Sequence, residues 1–327
     1  MGDVSQALNW YIREVIRLPQ SDISSAVRSR EWFINRVIQE INGRTDEPAL
    51  YPGQNILYFG SYFKGTKVVA VDEFDVLVIL DSNNGVFRQN GISVGKGLGR
   101  ADPNHLFDER YKLSDGSGVS PTKLLNWLKN VAESATSKYG VEAPVRNGQA
   151  ITATIKSKDL KLDLVPAAVL QHNSSGEIFY AIPKGGQGNG WIATAPHRDM
   201  ERLKEVAQGK ENFRNVIRLC KRVRDMYNFR VSSFAIESAV VGYGERNYWY
   251  GDLYSDFRAV LKSLAEAFRG GVILDPFDDQ NNLIADVVSL DWYADRRETI
   301  VEGMDECVDW ERQDEVRQRV YEILENQ

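Results

Sequence analysis

The spacing of apolar side chains changes twice along the chain, and each change predicts a different kind of element. Near the start, Ile23, Val27, Ile34, Val37, Ile38 and Ile41 recur every three or four residues, the period of one helix face. This predicts a long helix from an N-cap at Ser21 or Asp22 to Gly43, preceded by a helix over residues 4–18 that Pro19 stops. Between residues 54 and 183 the apolar positions gather into short runs, which predict strands over 54–59, 74–80, 151–156, 160–170 and 177–182. One amphipathic helix, over 121–138, interrupts them.

Beyond Asp199 the helical period returns. Phe213, Val216, Ile217, Cys220, Val223 and Tyr227 form one stripe, and Phe257, Val260, Leu261, Leu264 and Phe268 form another. The charged tail over 293–327 keeps a last stripe of Val316, Val320, Ile323 and Leu324. The order of elements implies an α+β fold: a mixed-sheet core with N-terminal helices over 1–198 and a helical second lobe over 199–327. A cleft is expected between the two, with the long N-terminal helix as a brace. A stretch over 81–120 carries Gly91, Gly95, Gly97 and Gly99 without a dinucleotide-binding spacing and reads as a lid; a second link spans 184–190.

Candidate chemistry enters with Glu73 and Asp75. Side chains alternate across a strand, so these two carboxylates share one face while Phe74 and Val76 take the other. The rest of the run to Leu80 is apolar, a poor setting for a solvated acid. Two carboxylates so close repel each other, and hard cations between them relieve the repulsion; all-oxygen ligation suits two Mg²⁺ or Mn²⁺ ions. Asp163 lies in a second strand pattern opposite Leu160, Leu162 and Leu164, where it can complete the cluster from a neighbouring strand. Upstream, the 54–59 strand ends at Gly60-Ser61. A glycine there lets the backbone approach a ligand, and a short helix starting at Ser61 would turn free N–H groups toward a triphosphate. A Gly-Ser turn by itself is usually only a turn; the weight lies in the three parts occurring in this order.

Composition narrows the reading. The 327 residues are 43% hydrophobic and 26% charged, ordinary for a globular protein. No run approaches the roughly 20 apolar residues of a membrane span, and no signal-peptide region opens the chain, so a cytoplasmic protein is expected. Two cysteines, Cys220 and Cys307, and three histidines offer no zinc site or disulfide framework. The net charge of −6 argues against a protein devoted to gripping long nucleic acid. A local basic groove is conceivable from Arg214, Arg218, Lys221, Arg222 and Arg224, or from Arg296 and Arg297, although such rows are ordinarily solvated helix faces.

The run Gly60-Ser61-Tyr62-Phe63-Lys64-Gly65-Thr66, the Glu73-Phe74-Asp75 pair, Leu162-Asp163-Leu164-Val165-Pro166-Ala167 and the stretch from Trp191 to Pro196 resemble the cyclic GMP-AMP synthase and oligoadenylate synthase superfamily. Its bacterial members are called CD-NTases. The resemblance implies a polymerase-β-like nucleotidyltransferase core with a mixed twisted sheet. It further implies catalysis by Glu73, Asp75 and Asp163 with two Mg²⁺ or Mn²⁺ ions, and nucleotide binding through Gly60 and Ser61. Lys221 looks like the family lysine on the donor triphosphate, and Ser232-Ser233-Phe234 matches a Ser-Ser-aromatic element in which serine binds phosphate and the ring stacks on a base. Lys64 and Thr66 are lesser candidates, and Trp191 and His197 are conceivable neighbours of a base. The turn Asp275 to Asn282 resembles a family turn and is expected to be structural, with Asn or Asp capping the next helix.

By this resemblance the substrates are ATP, GTP or other nucleoside triphosphates, the product is a cyclic di- or trinucleotide, and the partner is an effector that reads that product in anti-phage signalling of the CBASS kind. A linear oligoadenylate-type synthase and a double-stranded RNA-activated cyclic GMP-AMP synthase-like receptor share the same carboxylates. So does a catalytically silent Mab21-like binding protein, against which the intact acidic set argues. The zinc insertion with which animal cyclic GMP-AMP synthases clamp DNA has no counterpart here.

Overall fold

A computed structural model describes residues 3–16, 20–45, 47–68, 72–81, 109–114, 119–171, 175–185 and 190–325. They divide into two compact units, one made of Met1–Leu18, Lys64–Ala70 and Glu201–Gln327, the other of Pro19–Phe63 and Val71–Met200. The glycine-rich stretch read as a lid lies almost wholly outside the described residues, as does most of the 184–190 link.

The second unit holds the sheet. Its strands are β1 (Ile56–Phe59), β2 (Glu73–Leu80), β3 (Val145–Asn147), β4 (Ala150–Ile155), β5 (Leu160–Gln171), β6 (Ile178–Pro183) and β7 (Trp191–Thr194). They run in the order β1-β2-β5-β4-β3, and β6 pairs with both β5 and β7. The β2/β5 pair is parallel and the other pairs are antiparallel, so the sheet is mixed, as expected.

Alternation sorts the two faces. Phe74, Val76, Val78 and Leu80 of β2 and Leu160, Leu162 and Leu164 of β5 join a core with the long helix α2 (Gln20–Asn42) and with α3 (Pro121–Thr136). The opposite parity, Leu77 and Ile79 with Val165 and Ala167, forms a smaller cluster on the other face. Glu73, Asp75 and Asp163 belong to that second parity, on the face that α2 and α3 leave uncovered. α3 starts where Ser120 accepts a hydrogen bond from the Lys123 amide at 3.3 Å, with Pro121 in the first turn. α2 starts at Gln20, just before the expected caps, and its buried stripe of Ala26, Phe33, Ile34, Val37 and Ile41 lies wholly within this unit.

The first unit is helical. It contains α1 (Val4–Tyr11), the end of α4 (Pro196–Ala207), α5 (Phe213–Met226), α6 (Ser233–Arg246), α7 (Leu253–Arg269), a hairpin of β8 (Leu274–Asp275) and β9 (Asp278–Asn282), α8 (Leu290–Asp305) and α9 (Gln313–Glu325). The first helix does not run straight to residue 18: after Tyr11 it widens into a π-helical turn over Ile12–Ile16. α1 is held to the last helix by the Tyr11 hydroxyl, which reaches the Leu324 carbonyl oxygen at 3.3 Å and the Glu325 carboxylate, and which accepts from Arg222 Nε at 3.1 Å. Asp275 and Asn282 do structural work, though not as helix caps. Asp275 accepts from the Phe277 amide, and Asn282 Oδ1 accepts from the Ile273 and Ile284 amides, closing the β8–β9 hairpin. No helix among the described residues is long and apolar enough to cross a membrane.

Candidate active site

Parallel register brings the acids together. Asp75 on β2 lies directly opposite Asp163 on β5, and Glu73 follows two residues upstream on the same face. Glu73, Asp75 and Asp163 each offer a carboxylate oxygen within 4.8 Å of the others, and all three are half-buried. Such a donor set, oxygen only and triply acidic, fits hard divalent cations. Asp163 is also oriented: Thr152, its cross-strand neighbour on β4, donates its hydroxyl to Oδ1 at 2.6 Å. A metal-facing carboxylate is commonly fixed by an outer hydrogen bond of this kind.

Gly60 is fitted to the cluster. It follows β1 with φ of +83°, and a Cβ at this position would lie 1.9 Å from Asp75 Oδ2. Any side chain would therefore carry backbone strain and displace the carboxylate. Ser61 opens a series of turns over 61–65, and the short helix expected there is absent. The reason lies in the aromatic residues that follow: Tyr62 packs edge-on against Phe74 at 4.9 Å, and Phe63 stacks on Tyr58 at 5.2 Å, which folds the segment back toward the sheet. Beneath them the Arg30 guanidinium of α2 sits 4.5 Å from the Tyr58 ring centre and 5.0 Å from that of Phe74, the residue between the two β2 carboxylates.

The remaining predicted residues belong to the helical unit. Lys221 on α5 is buried, and its ammonium donates to Glu237 Oε1 at 3.0 Å and to the Thr66 carbonyl oxygen at 3.1 Å. Glu237 on α6 is the hub of this cluster: Lys64 Nζ donates to Oε2 at 2.7 Å and the Thr66 hydroxyl to Oε1 at 2.6 Å. Burial pushes the Glu237 carboxyl upward, but Lys64 and Lys221 pull harder and hold it below its ordinary value of 4.5. Burial also pushes Lys221 below its ordinary 10.5, with Glu237 opposing. Ser232 is spent as the N-cap of α6, accepting from the Ala235 amide at 3.0 Å. Ser233 meets the Arg224 guanidinium, and Phe234 is half-buried with the Lys64 ammonium 5.5 Å from its ring centre.

Two expectations need correction. The row of cations on α5 is not an open basic groove: Arg214 donates to the Lys64 carbonyl oxygen, Arg218 to Asn215, Arg222 to Tyr11 and Glu325, and Arg224 to Asp225 and Ser233. Arg297 is wholly buried between the rings of Phe229 and Phe268. Trp191 is core rather than a base contact, 2% exposed with its indole N–H donated to the Val119 carbonyl oxygen; His197 packs edge-on against Tyr180. Thr152 and Arg30 carry no signal in the sequence, because their parts depend on register and on tertiary pairing. An acid in an otherwise apolar stretch of α6 was the one available signal for Glu237.

No protein-family model matches the chain. A probable cyclic nucleotide synthase of Bacillus cereus (strain VD146) is 22% identical over 289 residues, covering 88% of this chain and 84% of its own length. Among solved structures, CdnC of Escherichia coli MS115-1 with ATP has a TM-score of 0.70 at 14% identity over 99% of this chain and 98% of that one. Escherichia coli DncV in its 3′-deoxy GTP bound form has a TM-score of 0.64 at 15% identity over 96% and 93%. The architecture is the one these two structures share.

Proposed function

We propose that the chain is a member of the CD-NTase family, as the relatives and the shared fold support, and that it is a metal-dependent nucleotidyltransferase that joins ribonucleoside triphosphates into a cyclic di- or trinucleotide second messenger. The observation that carries this reading is the Glu73, Asp75 and Asp163 cluster at the mouth of a parallel strand pair, with Gly60 leaving room beside it. The name of the Bacillus cereus relative supports the product class, and the ATP and 3′-deoxy GTP of the two solved structures support nucleoside triphosphates as substrates. An anti-phage role, and a downstream effector that reads the product, extend the same proposal.

Glu73, Asp75 and Asp163 would hold two Mg²⁺ or Mn²⁺ ions, which when bound supply charge neutralisation on the α-phosphoryl group and lower the pKa of the attacking ribose hydroxyl. The work of the chain itself is positional. β2 and β5 fix the acids in register, Thr152 turns the Asp163 carboxylate, and Gly60 lets a phosphate approach the backbone beside Asp75. Ser61 offers its hydroxyl next to that approach. Lys221, Ser232, Ser233 and Phe234 are the nucleotide contacts that the family resemblance assigns to the helical unit. A phosphate on Lys221 would have to compete with Glu237 for the ammonium.

The test is incubation of the purified protein with radiolabelled nucleoside triphosphates and Mg²⁺ or Mn²⁺, followed by phosphatase treatment and product separation. A discrete phosphatase-resistant product, lost in Asp75→Asn, is expected. A ladder of linear products would replace cyclisation with oligomer synthesis, and incorporation unaffected by Asp75→Asn would remove the metal site from the chemistry.

A further inference from the structure

The helical unit contains a cavity of about 360 Å³, between α6, α7, the end of α4 and the β8–β9 hairpin, that the carboxylate site does not use. Its size is in the range of small-molecule sites. Its floor is apolar, built from buried Val260, Leu264 and Ile273. Its polar groups are unbalanced. Ser238 is 6% exposed, and its buried hydroxyl has no hydrogen-bond partner among the described residues. Arg202 gives Nε and Nη2 to the two oxygens of Glu245, each at 2.8 Å, which leaves Nη1 buried and without a partner. Arg246 adds a second guanidinium, lying so close over Gly242 that a Cβ there would come within 3.2 Å of it.

Each carboxylate of the same cavity already accepts at least one hydrogen bond. The Asp275 carboxylate takes the Phe277 amide at 2.9 Å and the Asn281 side-chain amide at 3.2 Å, and Asp279 takes Gln280 at 3.1 Å. Beside these carboxylates the cavity offers unspent donors, the Ser238 hydroxyl and Arg202 Nη1, above an apolar floor. Buried donors without acceptors are rare in folded proteins and call for a partner.

We propose that this cavity binds a small organic anion, its oxyanion held by Ser238, Arg202 and Arg246 and its apolar body resting on Leu264 and Ile273. A carboxylate carried on a ring and a free phosphate share the required head group, and the measurement separates them. Binding is followed by isothermal titration calorimetry on metal-free protein, with benzoate and inorganic phosphate as the two probes. Wild type is compared with Ser238→Ala and with Arg246→Gln, at a position whose side chain is exposed. One saturable site is expected, weakened about tenfold by either substitution, the loss of roughly one good hydrogen bond to a charged group. Saturation by benzoate alone identifies an anion with an apolar body, and saturation by phosphate identifies a bare oxyanion. If neither probe saturates, or if binding is indifferent to both substitutions, the donors are met by ordered water and the proposal is overturned.

Discussion

Replacing Glu237 with glutamine should destabilise the protein more than any single exposed charge could, because it strands two buried lysines. Lys64, Lys221 and Glu237 are 9%, 4% and 3% exposed. Removing one partner of a buried ion pair costs about 3–5 kcal/mol, since the remaining charge keeps its desolvation penalty without compensation. Glutamine is isosteric and can still accept from Thr66, which places the expected loss near the lower end, about 3 kcal/mol at pH 7. For a protein of this size, that lowers the melting midpoint by about 4 °C.

The pH dependence gives the sharper signature. The folded Glu237 carboxyl is held below 4.5, so its contribution is fully present above that value and is lost as pH falls through the lower folded value. At the alkaline end Lys221, already below 10.5, gives up its proton, and the penalty of the substitution shrinks again. The difference between wild type and Glu237→Gln should therefore be greatest near neutrality and narrow on both sides. Denaturant melts of both proteins across pH measure it. A difference under about 1 kcal/mol at pH 7, or one that stays constant into acid, would refute the account of a charged buried cluster.

Two substitutions probe the carboxylate site. Gly60→Ala should reduce nucleotide incorporation about a hundredfold by moving the Asp75 carboxylate, an effect of the size that a displacement near 1 Å produces. Gly209→Ala is its control, because φ is also positive there (+73°) but nothing lies within 4 Å of the added Cβ, so only backbone strain is incurred; equal losses in the two variants would remove the steric argument. Thr152→Val keeps the shape and deletes the hydroxyl on Asp163, and Mn²⁺ affinity followed by electron paramagnetic resonance should fall about 10- to 100-fold with little change in melting temperature. Unchanged affinity would show that Asp163 needs no such orientation.

Much of the sheet was legible because its central strands are long and apolar: β2 and β5 announce themselves by runs in which only Glu73, Asp75, Lys161 and Asp163 interrupt hydrophobic side chains. The parity of those interruptions also gave the face. The register of Asp75 against Asp163 was not legible, since it joins residues far apart in sequence through hydrogen bonds that carry no side-chain signature. β3 and β9 were not legible for a different reason. β3 is exposed at all three positions, and β9 reads Asp-Asp-Gln-Asn-Asn, so neither carries the apolar alternation by which a strand is recognised. The conditional helix at Ser61 does not form, because Tyr62 and Phe63 pack on Phe74 and Tyr58, contacts that no local pattern shows. On α5, regularly spaced cations looked like a surface; the structure pairs them with Glu325, Asp225 and Glu237, partners that periodicity cannot see.

The clasp between α1 and α9 bears on how the chain is made. Tyr11 is completed by Arg222, Leu324 and Glu325, so the seat of the first helix, begun where Ser5 meets Asp252 and the Tyr254 amide, is complete only after residues 313–325 have left the ribosome. Throughout that interval the buried face of α1, with Val4, Ala7, Leu8 and Tyr11, lacks the part of its native cover that α9 supplies, while residues 19–63 and 71–200 can already assemble their own unit. Synthesis thus has a built-in order, in which the helical unit closes last and a nascent chain stalled before residue 313 would leave its N-terminal helix only partly covered.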